Sequence, residues 1–93
     1  MKPVRLAILS RPDELIGLKR AAYEAGKSEK TIRTWCARYG IGRQVSPGAQ
    51  IDVSRPGLMM VMHGDLVALE LLRDGHRSDP RVAKYFDFLG LQN

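Results

Sequence analysis

The apolar residues of this chain recur in short stretches punctuated by glycine, and their spacing predicts a series of brief helices broken by one β-like segment. Leu18, Ala21, Ala22 and Ala25 fall on one face at helical spacing, which predicts a first helix over 18–25. Gly17 is placed to cap its start, and Gly26 to stop it with a positive φ. Ser28 then offers an N-cap hydroxyl to a second helix over 29–39. Ile32, Trp35 or Cys36, and Tyr39 repeat on its inner side, while Lys30, Arg33, Thr34, Ala37 and Arg38 share the other. Gly40 ends it. Over 41–53 the pattern changes. Gly42-Arg43-Gln44-Val45 and Gln50-Ile51-Asp52-Val53 read as two short strands about Ser46-Pro47-Gly48-Ala49, with Pro and Gly in the order a turn requires. A two-stranded hairpin is not stable alone, so this one is expected to rest on the helices through Val45, Ile51 and Val53.

Beyond the hairpin, Ser54 with Pro56 in the first turn opens a third helix, whose apolar side is read as Leu58, Val61 and Met62. Gly64 interrupts it. Asp65 caps a fourth helix over 66–73 with Leu66, Leu69 and Leu72 as its stripe, closed by Gly75. Asp79 and Pro80 open a fifth, with Val82, Tyr85, Phe86 and Leu89 inward and Gly90 as its stop. Tyr85, Phe86, Phe88 and Leu91 offer more apolar surface than one helix face needs. They either close the core or meet a neighbouring chain. Residues 1–16 contain Pro3 and Pro12 and no helical period. They read as an extended arm with a turn at Arg11-Pro12-Asp13 and with Leu6, Ile8 and Leu9 against the core. The expected architecture is one mainly α domain over 1–93. It comprises the arm (1–16), a helical pair with a hairpin (17–53), and C-terminal helices (54–93) that carry protein–protein contacts.

Composition narrows the function. The aromatics are only Tyr23, Trp35, Tyr39, Tyr85, Phe86 and Phe88, so the core must be largely aliphatic, with Trp35 in it and Met59, Met60 and Met62 as filler or partner surface. The apolar run from Pro56 to Met62 is far too short to span a bilayer, and no signal-peptide pattern is read at the start. Cys36 stands alone, which excludes an internal disulfide and suits a reducing cytoplasm. The net charge is +5, and its distribution matters more. Between Lys19 and Arg55 lie eight basic and three acidic residues, whereas 56–93 holds four basic and five acidic. The positive charge thus coincides with the helical pair and the hairpin, where it would attract phosphate. His63 and His76 lack companions at metal-ligand spacing. No phosphate-cradling glycine motif or nucleophile triad is present, so no enzyme activity, cofactor or small-molecule ligand is expected.

Leu18-Lys19-Arg20-Ala21-Ala22, then Ser28-Glu29-Lys30-Thr31-Ile32-Arg33-Thr34-Trp35, then a hairpin, resembles the excisionase branch of the MerR-like winged helix-turn-helix proteins. The likeness covers about residues 18–53. It implies a winged helix-turn-helix fold with the second helix in the major groove. It also implies a recombination directionality factor: a protein that binds repeated sites beside an attachment site on double-stranded DNA, self-associates along it, bends it, and directs a tyrosine or serine integrase toward excision of a mobile element. Its expected place is the bacterial cytoplasm, on the nucleoid. The alternatives are a transcriptional regulator of the same fold and a phage DNA-packaging adaptor.

On this reading Lys30, Thr31, Arg33, Thr34 and Arg38 are the candidate DNA contacts of the second helix. Arg33 is chosen for base reading because arginine pairs bidentately with guanine, and Arg38 for a phosphate. Ser28 caps the helix, and the same helix start can meet a phosphate. Glu29 either accepts from cytosine or serves as an acid favoured at a helix N-terminus. Arg43, Gln44, Lys19 and Arg20 either touch the DNA backbone or are simply solvated. Removing everything after Gly75 is expected to leave weak DNA binding and abolish cooperativity.

Overall fold

The computed structural model describes residues 7–92. The expected part of Leu6, and of everything before it, lies outside the described residues. Among them the chain is mainly helical, with a small three-stranded antiparallel sheet.

The first departure from the sequence reading comes in the arm. The turn expected at Arg11-Pro12-Asp13 is there, as a 3-10 turn at Pro12–Glu14, but the residues after it form a paired strand, β1 (Leu15–Gly17). The helical pair then follows as α1 (Leu18–Ala25) and α2 (Glu29–Tyr39). Strands β2 (Gly42–Arg43) and β3 (Asp52–Ser54) come next, then α3 (Arg55–Met62), α4 (Leu66–Arg73) and α5 (Pro80–Leu89). The sheet order is β1-β3-β2. Ile16 opposes Val53 on one side of β3, and Gly42 opposes Val53 on the other. The hairpin is therefore not alone: β3 is a central strand, which gives a short ladder the third member it needs.

Helix ends fall where local chemistry puts them. Gly26, Gly40 and Gly90 close α1, α2 and α5 at φ of 65°, 67° and 70°, a region costly for any residue with a Cβ. The Oγ of Ser28 accepts from the Thr31 amide at 3.1 Å, and that of Ser54 from the Gly57 amide at 3.2 Å. Asp65 and Asp79 accept from the amides of Ala68 and Arg81. Such caps are each worth about 1 kcal/mol.

One core draws on every helix: Ala21, Ile32, Ile41, Val53, Leu58, Met60, Ala68, Leu69, Leu72, Val82, Tyr85 and Phe86 are buried. Three apolar assignments are corrected. Leu9 and Val45 are more than four-fifths exposed, and Leu66 is 47 % exposed. In α3 Leu58 and Met60 are buried, and Val61 and Met62 pack partly against the core, as the apolar side read from the sequence requires. Each error came from choosing among apolar neighbours by spacing alone. Val45 falls in the hairpin loop, beyond the two-residue β2, and in α4 Ala68 and Leu69 are buried where Leu66 is not.

The aromatic tail divides. Tyr85 and Phe86 lie in the core, Leu91 packs partly against it, and Phe88 is 75 % exposed. The segment after Gly75 thus belongs to the fold itself. A chain ended there loses Val82, Tyr85 and Phe86 together, and it is expected to unfold rather than to keep weak DNA binding.

The Tyr85 hydroxyl donates to Asp65 at 2.7 Å. Burial, reinforced by this hydrogen bond, pushes the phenol up to about 12. The same hydrogen bond outweighs burial at Asp65 and, with the Ala68 amide, holds that carboxyl below its ordinary value. In the unfolded chain the phenol releases its proton near 10. The Tyr85 contribution is therefore whole below about pH 10 and disappears as pH rises toward 12. The Asp65 contribution is whole above about pH 4 and disappears as pH falls through its lowered folded value. Tyr85→Phe is expected to cost about 1.5 kcal/mol near neutrality, the low end for a hydrogen bond to a charged group because Asp65 is partly exposed. It should also flatten the alkaline limb of a urea-unfolding series.

Candidate nucleic-acid interface

The second helix turns two unlike faces outward and inward because its apolar residues sit three and four apart. Ile32 is fully buried, and Trp35, Cys36 and Tyr39 pack partly against the core. The opposite face carries Lys30, Arg33, Thr34 and Arg38, all exposed. No later segment of the described chain covers it.

Beside this face lies an open groove. Its walls are the start of α1 (Gly17, Leu18, Lys19), the α2 residues Glu29 and Arg33, and the hairpin from Gln44 through Gly48 to Ile51. Three predicted contacts, Lys19, Arg33 and Gln44, are thus brought to one place from three elements. Glu29, left open between two roles, lines the same groove as Arg33. Gln50, which was read only as part of a strand, also lines it. Its membership depends on the hairpin folding back toward α1, for which the local sequence holds no signal.

The hairpin is seated tightly on α2. A Cβ added at Gly42 would lie 2.6 Å from the Cys36 Sγ and 2.8 Å from its Cβ, inside any permissible contact. Burial pushes the Cys36 thiol above its ordinary pKa, so it is a packing group and not a thiolate nucleophile. At the hairpin tip, the Ala49 amide donates to the Ser46 carbonyl at 3.0 Å and Gly48 has φ 85°, the geometry of a type II turn with Pro47 in its preferred place. The Gln44 side-chain amide donates to the Ala49 carbonyl and braces this turn.

The basic residues fall into two electrostatic groups. Lys19, Lys30 and Arg33 make no ion pair among the described residues, so their charge faces solvent. Arg20, Arg43 and Arg55 are engaged. Glu24 receives Arg20 Nε at 2.7 Å and Arg55 Nε at 2.9 Å. Burial alone would raise the Glu24 carboxyl, but the hydrogen bonds from Arg55 and Arg20 outweigh it and hold the carboxyl below its ordinary value. Arg43 stands 3.8 Å from Asp52 across the β2–β3 ladder. Arg38 lies 5.8 Å from the centroid of the neighbouring Tyr39 ring.

Two of the predicted hydroxyl contacts are committed locally. The Thr31 hydroxyl is 3.1 Å from the Ser28 Oγ, and that of Thr34 donates to the Lys30 carbonyl at 3.1 Å. Either oxygen still accepts, but neither is free to rotate without losing a hydrogen bond. Among the described residues no group of His, Cys, Asp or Glu gathers as a metal site, and no helix is long and apolar enough to cross a membrane. No protein-family model matches the chain, and no match to it was found among curated proteins or solved structures.

Proposed function

We propose that this chain is a sequence-specific double-stranded DNA-binding protein of winged helix-turn-helix type. In this reading it is an accessory factor of site-specific recombination that bends DNA beside an attachment site and directs an integrase toward excision. It acts by shape and charge, without covalent chemistry. The observation that carries the reading is the uncovered, cationic outer face of α2, whose Lys30 and Arg33 make no ion pair among the described residues, set beside a groove whose far wall is the hairpin. A helix about 10–12 Å across with such a face matches the major groove. The β2–β3 hairpin then takes the part of the wing, and Arg43 its backbone contact.

In the bound state Arg33 reads a base edge, Lys30 and Arg38 hold phosphates, and Lys19 at the start of α1 meets the flanking strand. Several copies sharing a bend of tens of degrees divide a cost of roughly 1–6 kcal/mol. Arg33→Ala is expected to weaken binding to the cognate duplex by about 1–3 kcal/mol and to relax preference at one base pair, whereas Lys30→Ala should weaken all sequences alike and lower the salt slope by about one. A gel-shift titration across salt concentrations measures both, and unchanged affinity for Arg33→Ala would remove it from base reading. Footprinting tests the recombination role. Protection beside an attachment site, enhanced by integrase, supports it, while protection over a promoter alone assigns the chain to transcriptional control.

A further inference from the structure

The free positive charge of the molecule is gathered in one region. Among the described residues the cations that meet no carboxylate are Arg11, Lys19, Lys27, Lys30, Arg33 and Arg38, and all but Arg11 lie on α1, on α2 or in the turn between them. The remaining arginines and the remaining lysine each stand within 4.0 Å of a carboxylate. A recognition role for α2 uses Lys30, Arg33 and Arg38. It leaves Lys27 unused, and with it Tyr23, which is 84 % exposed and whose hydroxyl makes no hydrogen bond among the described residues. A single exposed ring is ordinary, but the place of this one is not. α1 turns Ala21 inward, with Leu18, Ala22 and Ala25 packed partly against the core. Lys19 and Tyr23, four residues apart, are neighbours on one outward ridge. Lys19 lines the groove together with Glu29 and Arg33, so this ridge adjoins α2. Glu24, on the other flank of α1, faces Arg55 at the start of α3 and holds Arg20 as well. Beyond the ridge, the Lys27 amide donates to the Ala22 carbonyl at 3.0 Å, which fixes this exposed residue just ahead of the Ser28 cap.

We propose that Lys19, Tyr23 and Lys27 form a second track of contacts, on which one phosphate strand of the duplex runs along the outer ridge of α1 while α2 occupies the major groove. The inference rests on the DNA-binding reading and adds Tyr23 and Lys27 to its contacts. The Tyr23 phenol donates a hydrogen bond to a phosphate oxygen, and the two ammonium groups neutralise phosphates on either side of it. Such contacts fix register and orientation on the duplex and carry no sequence information. Arg20 stays out of the track because Glu24 already engages it.

Fluorescence anisotropy of the full chain with a mixed-sequence DNA duplex, titrated across salt concentrations, tests it. Tyr23→Phe removes one exposed hydroxyl and should weaken binding about tenfold, the low end for a hydrogen bond to a charged acceptor, with the salt slope unchanged. Lys27→Gln should weaken binding and lower the salt slope by about one. Both variants should keep the parent's circular dichroism spectrum and thermal midpoint, which separates a contact role from a structural one. If the parent binds the duplex and both variants match it, the track is overturned while the role of α2 stands. If the parent binds no duplex, both readings fall. If Tyr23→Phe binds like the parent while Tyr23→Ser is weakened, the ring stacks on a base instead, and the phosphate contact is overturned.

Discussion

Replacing Arg77 with alanine is expected to remove about 3–5 kcal/mol of stability, the typical cost of stripping the partner from a buried charge. Glu14 is 1 % exposed, and Arg77 meets both its oxygens, Nη1 at 3.0 Å from Oε2 and Nη2 at 2.8 Å from Oε1. The guanidinium also donates to the Leu9 carbonyl and lies 5.1 Å from the Phe86 ring centroid. One side chain therefore ties the segment before β1 to the α4–α5 connection and covers the largest fully buried ring. Folded domains keep only about 5–15 kcal/mol in total, so the variant should be marginal. Urea unfolding followed by circular dichroism measures the loss. The double change Glu14→Leu with Arg77→Met should recover most of it, since an apolar pair of similar volume often replaces a buried ion pair without penalty. A single variant as stable as the parent would show that the carboxylate is solvated after all.

Arg73→Ala should cost about 2–3 kcal/mol, the worth of a charge-assisted hydrogen bond at a helix terminus. The Arg73 side chain is 4 % exposed. It donates to the Tyr39 carbonyl, reaches the Gly40 carbonyl at 3.5 Å, and pairs with Glu70 at 3.3 Å. These carbonyls are the orphaned acceptors at the C-terminus of α2, where the helix dipole favours a cation. Arg73→Lys should restore only part, because a single ammonium cannot reproduce the planar fork. Thermal unfolding reads the global effect. Hydrogen exchange over the last turn of α2 reads the local one, and unchanged protection there would mean that Arg73 does not cap the helix. DNA affinity of the folded fraction should be preserved, which separates this support from a contact role.

What the sequence made legible was local. α1 and α2 end where Gly26 and Gly40 take left-handed conformations, and Ser28, Asp65 and Asp79 cap the helices they precede. These signals act over a few residues and do not depend on the rest of the chain. β1 escaped because its three residues mean nothing until β3, in the second half, arrives beside them. Glu14, Arg73 and Arg77 escaped for the same reason. Nothing near them in sequence marks their burial, and only the assembled fold brings Glu14 to Arg77 and Arg73 to the end of α2. At the candidate interface, the exposure of Lys30 and Arg33 followed from the helical period. The pairing of Arg20 with Glu24 is an i, i+4 contact within α1 that helical spacing can show, whereas that of Arg55 with Glu24, and of Arg43 with Asp52, required tertiary neighbours.

The closure of the chain on itself governs when the protein becomes competent during its synthesis. β3 cannot be sandwiched without β1, the Glu14 carboxylate stays unneutralised until residue 77 has been made, and the Phe86 ring that fills the centre comes later still. While the residues after Gly75 are still inside the exit tunnel, the ribosome presents the basic α1–α2 segment without the core that supports it. The growing polypeptide needs protection from premature association until those residues emerge.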